Sequence, residues 1–150
     1  MSGGADVPRP RFATAAEWRE HVQRFERAEL SPAEWDHDGH LAVAIWYSLW
    51  FDADDALVRV RDGIRRLNAV HERTRPAKVG YHETLTRFYM QAVRRRVAAH
   101  AIEAGMLHAV HDIIGELGDR SLPLRYYSEA RLFSPDARAG WVPPDLRALD

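Results

Sequence analysis

Apolar residues recur along this chain at the three-and-four spacing of helices, with no sustained alternation of the strand kind. Trp18, Val22 and Phe25 mark one face of a first helix, opened by the capping box Thr14-Ala15-Ala16-Glu17. Ser31-Pro32-Ala33-Glu34 is a second capping box, with proline at the first helical position, and it leads into a central helix from His37 to Phe51. Asp52 caps a third helix, Ala53 to Val70, whose stripe of Leu57, Val60, Ile64 and Leu67 continues by four to His71. A loop with Pro76 and Gly80 as breakers precedes a fourth helix from Tyr81 to Ala104, with Gly105 as its stop. Met106 to Leu117 reads as a shorter helix closed by Gly118, and Ser121 with Pro123 opens another. From Ser134 the pattern decays into an extended segment with three prolines, pinned to the body by Trp141.

The fold class predicted is all-α: a helix bundle of four main helices plus two or three short ones, and an irregular C-terminal tail. Residues 1–13 read as a flexible tail, 14–133 as a single helical domain, and 134–150 as an extended, proline-containing tail packed on that domain. A chain of 150 residues is long enough for one real core.

Composition narrows the chemistry. The absence of cysteine removes disulfides and thiolate metal sites. There is no membrane-length apolar run and no apolar signal core, so the expectation is a cytoplasmic protein that does not enter a membrane. Net charge is -1, which gives no global field for nucleic acid. The Arg94-Arg95-Arg96 run has no interleaved aromatics, so no nucleic-acid partner is expected. The balance is uneven, however: residues 59–96 carry eleven Lys/Arg against three acids. Solvated helix faces explain that excess, and an anionic substrate is the sharper alternative.

The candidate chemistry lies in histidines. His37 and His40 are three apart at the head of the central helix, on one stripe with Ala44, Tyr47 and Phe51. In an up-down arrangement the start of the second helix, the end of the third and the start of the fourth meet at one pole. His37, His40, His71 and His82 can then converge there. Imidazoles brought together bind Zn, Fe or Cu, and three with an open position make a catalytic site. His37, His40 and His82 are the candidate ligands, and Glu83 a fourth ligand or general base. Tyr47, Tyr81 and Tyr89 are candidate hydroxyl donors, Tyr47 and Tyr89 reading otherwise as core aromatics that keep a polar tip wet, and Arg87 is a holder of an anionic group. Taken singly, each histidine reads equally as a hydrogen-bonded residue at a helix end. His108 and His111 read as a surface pair, and no Gly-rich phosphate loop or nucleophile elbow occurs.

The segments EWDHDGHLAVAIWY, RDGIRRLNAVHE, GYHETLTRFYM and LFSPDARAGWVPPDL, together spanning most of the chain, resemble a family of small, uncharacterised bacterial all-helical proteins. The signature segments map onto Trp35, His37, His40 and Leu41, and onto Gly80, Tyr81, His82, Glu83 and Thr84. The resemblance implies that these two segments form the site; it implies no substrate.

Two functions from different classes follow as expectations. One is a metal-dependent enzyme, an oxidoreductase or hydrolase, acting on a small-molecule substrate at the histidine pole. The other is a non-catalytic helical partner of another protein, docking through the tail with Trp141. An exposed aromatic patch of Trp46 or Trp50 would favour a homodimer. A metal-free variant of the first places His82 and Glu83 as acid and base on an anion held by Arg87.

Overall fold

The computed structural model describes residues 10–73, 80–100 and 105–149. Their regular structure is helical throughout: α1 (Ala15–Glu26), α2 (His37–Trp50), α3 (Ala53–Glu72), α4 (Glu83–Ala99), α5 (Met106–Leu117), α6 (Glu129–Leu132) and α7 (Pro135–Ala139). A 3-10 turn, Leu122–Arg125, joins α5 to α6. The chain is all-α, as its periodicity predicts. The arrangement differs from four equal helices: α5 is as long as α1, and α2 packs against α1, α3, α4 and α5 together.

α2 takes the centre because it has no polar face to give to water. Leu41, Ala42, Val43, Ala44 and Ile45 are consecutive and all buried, which no helix on a surface tolerates. Its entry is held by charge. The Asp36 carboxylate accepts from the Gly39 N–H at 2.8 Å and so caps the helix. The Arg11 guanidinium donates to both Asp36 oxygens, at 2.8 and 2.9 Å, and to the Glu34 carbonyl at 2.8 Å. A Cβ on residue 39 would stand 2.4 Å from that same carbonyl, so only glycine fits there. Behind Arg11, Phe12 is buried and its N–H donates to His111 Nε2 at 3.3 Å. Of the expected tail of 1–13, residues 1–9 lie outside the described residues, and Arg11 and Phe12 make the bonds given above.

The cap signals read from sequence are used. Thr14 accepts from Glu17 N–H, while Glu17 reaches back to Ala13 N–H at 2.7 Å. Asp52 accepts from Asp55 N–H at 2.8 Å. Ser31 and Glu34 exchange their reciprocal bonds, but around a turn ahead of α2 rather than inside a helix. Arg24 clamps Glu34 and, with the Ser31 N–H, holds its carboxyl down at about 2.

The C-terminal segment packs on the body around a second apolar cluster of Phe88, Tyr127 and Leu132, with Trp141 edge-on to Tyr127. Thr84 Oγ1 donates to the Gly140 carbonyl at 2.8 Å and accepts from Val142 N–H at 3.2 Å. Residues 135–139 are helical rather than extended, because Ser134 caps and Pro135 sits in the first turn. The loop over 74–79 and the expected last turn of the fourth helix, 101–104, lie outside the described residues; α4 ends at Ala99 with His100 as its C-cap.

α1 meets α3 at one close approach. The Phe25 ring, fully buried, lies over Gly63, where a Cβ would stand 2.2 Å from the ring. Gly63→Ala gains ~1 kcal/mol of helix propensity but forces that ring out of a packed core, at ~1–3 kcal/mol. The expected outcome is a net loss of stability in urea unfolding with an unchanged m-value, and a Phe25→Leu background should recover most of it.

Candidate functional site

A cleft of about 580 Å³ opens beside the first turns of α2 and α4. α3 supplies Val60, Ile64 and Asn68 to its wall, and the segments after α5 and α6 supply Arg120, Leu124 and Phe133. The remaining wall is mostly apolar, from Trp35, Leu41, Ala44, Leu85 and Met90. That is the size and character of a small-molecule site. His37, His40 and His82 are all among its lining residues. His71 does not line it and instead donates from Nε2 to the Leu30 carbonyl at 2.8 Å.

The three rings do different work. A carbonyl only accepts, so each ring nitrogen facing one carries its proton. His37 donates from Nε2 to the Leu117 carbonyl at 2.9 Å, satisfying the last residue of α5, and lies edge-on to Tyr89. His82 is the N-cap of α4: Nδ1 accepts from Leu85 N–H at 3.1 Å, and Nε2 donates to the Leu132 carbonyl at 2.7 Å. It is therefore the neutral Nε2–H tautomer with both nitrogens committed. His40 packs on the Trp35 indole with ring centres 3.7 Å apart. Burial drives its pKa down to about 4, with the neighbouring His37 and Arg120 pushing the same way and Asp36 opposing.

This donor set does not fit a metal ion. Among the described residues no group of three His, Asp or Glu side chains is placed to hold one. For His82 to be a ligand, α4 would lose its cap.

Three expected site residues stand elsewhere. Glu83 is buried behind the cleft and saturated: Arg61 grips it at 2.8 and 2.7 Å, Tyr81 donates at 2.7 Å, and Arg87 Nε stands 2.8 Å away. Burial works to raise its pKa, but these partners win and lower it, so it is an ion-pair anchor between α3 and α4 rather than a base. Arg87 spends its charge on Glu83 and does not line the cleft. Tyr47 points away from the cleft and donates to Glu26 at 2.7 Å, its phenol pushed upward by burial and then by that carboxylate. Each is taken by a charged partner on another element or turn that helical spacing alone does not reveal.

Two further cleft residues are Tyr89, a candidate hydroxyl donor, and Arg120, which no sequence pattern marks. The Tyr89 hydroxyl is buried and has no hydrogen-bond partner among the described residues, and burial raises its pKa to about 12, so it stays a phenol. Among the described residues that line the cleft Arg120 is the one Lys or Arg, and its charge reaches both His40 and Tyr89. The sequence carries a signal for Tyr89, one turn beyond Leu85 on α4; Arg120 lies in an aperiodic stretch with none.

Comparison of the chain with family models, curated proteins and solved structures gave no match. The resemblance to small bacterial helical proteins therefore rests on the quoted segments alone, and function on the geometry of this cleft.

Two outcomes follow. An unfolded histidine titrates near 6.5 and His40 in the fold near 4. The unfolded chain thus binds the proton first, and stability falls as pH drops from 6.5 toward 4, by up to ~3 kcal/mol before solvent screening. Glu34 adds its own loss only below its usual 4.5. Denaturant unfolding at several pH values should show a distinctly flatter slope in this window for His40→Gln. His82→Ala should cost ~1–3 kcal/mol through the lost cap and the orphaned Leu132 carbonyl, whereas His82→Asn, which restores the cap acceptor, should keep about half of that.

Proposed function

We propose that the protein binds a small, largely apolar molecule in the cleft between α2, α3 and α4. The observation that carries this reading is a roomy, mostly apolar cleft walled by residues of α2, α3 and α4. His40, neutral across the physiological range, leaves the wall uncharged where the ring lies. The metal-dependent reading asks His82 to give up the bond that caps α4, so it is the weaker of the two.

The accessory-subunit reading keeps one observation. Trp141 is packed against the chain's own Tyr127, but Trp50 at the end of α2 is 58% exposed, as a homodimer contact would require.

The test uses 1-aminoanthracene, an uncharged dye whose emission rises in apolar surroundings. Saturable binding near one site per chain is expected. Ala44→Phe and Leu124→Trp, on opposite walls, should each weaken it at least tenfold while unfolding cooperatively. Absence of saturable binding, or unchanged binding in both folded variants, overturns the reading.

A further inference from the structure

The ligand's polar end can be read from the charges around the cleft, given the small-molecule reading above. Three ionisable groups other than histidine lie near His40 and Tyr89: Asp36, Asp119 and Arg120. Both carboxylates are neutralised already. Asp36 holds the Arg11 fork and caps α2. Asp119 accepts from the Ser121 N–H and hydroxyl at 2.9 and 2.7 Å and faces Arg125 at 3.5 Å. Asp38, near Gly118, does not line the cleft. Arg120 makes no ion pair and no hydrogen bond with another described residue, although Arg11, Arg24, Arg59, Arg61, Arg87 and Arg96 each hold a carboxylate.

We infer that the cleft takes a monocarboxylic acid, its carboxylate against Arg120 and its apolar body along Leu41, Ile64 and Leu85. A guanidinium presents a planar fork that matches a carboxylate. The Tyr89 phenol supplies one further donor at the same side of the cleft, reached by a small shift of its covering atoms. A phosphate dianion would set two charges against the one cation among the described lining residues.

Displacement of 1-aminoanthracene by decanoate and by decanol tests this at low salt and pH 7.5. Wild type is expected to bind decanoate at least tenfold more tightly than decanol. Arg120→Met, which keeps the apolar stem, should bring that ratio to within about twofold while leaving decanol affinity unchanged. Tyr89→Phe should weaken decanoate several-fold without lowering thermal stability, since it deletes a hydroxyl that bonds to nothing in the fold. Equal displacement by the two compounds in wild type, or a preference for decanoate that survives Arg120→Met, overturns the carboxylate assignment and leaves the apolar cleft standing. Failure of the dye and of both compounds to bind overturns the two readings together.

Discussion

A helix without a solvent face can exist only inside a shell of other helices. α2 is such a helix, and its burial dictates where the others go. α1, α3, α4 and α5 each bring an amphipathic stripe to it, which is why their own sequences alternate between apolar and charged positions. The requirement is strictest at the first turn of α2. There the backbone N–H groups enter the protein interior, and the Arg11, Asp36 and Gly39 arrangement satisfies and orients them. The cleft lies directly beside that turn, so its shape depends on the same contacts.

Histidine serves this fold as a connector between distant backbone segments. His21 donates to Gly39, His37 to Leu117, His71 to Leu30 and His82 to Leu132, all through Nε2 to a carbonyl. Two of those carbonyls end helices, α5 and α6, and have no intrahelical partner. An imidazole suits this position because it is flat, mostly apolar and long enough to cross between packed helices. Protonation leaves a donating nitrogen a donor. Among the described residues, His82, accepting from Leu85, and His111, accepting from Phe12, use a ring nitrogen that acid would take away.

Much of this architecture is legible in the sequence. Periodicity and caps give the class and the positions of α1 to α5, and topology brings His37, His40 and His82 to one cleft. What each ring does there is not legible, because its partner lies up to 80 residues away along the chain. Glu83 reads as a first-turn acid, yet it is an interior anchor, because Arg61 on α3 meets it across the helix pair. Tyr89 reads as a core aromatic with a wet tip; its hydroxyl is instead dry and unpaired. Arg120 belongs to no stripe, so only the fold gives it a place.

The cap of α4 has a consequence for the order in which the protein is built. His82 and Thr84 take their partners from Leu132, Gly140 and Val142, some fifty to sixty residues later in the chain. During synthesis α1 to α5 can gather while the head of α4 still has those bonds open, and Leu132 and Phe133, which line the cleft, are not yet made. The cleft therefore takes its full shape only after residues 132–142 have left the ribosome, later than the helices that form most of the core.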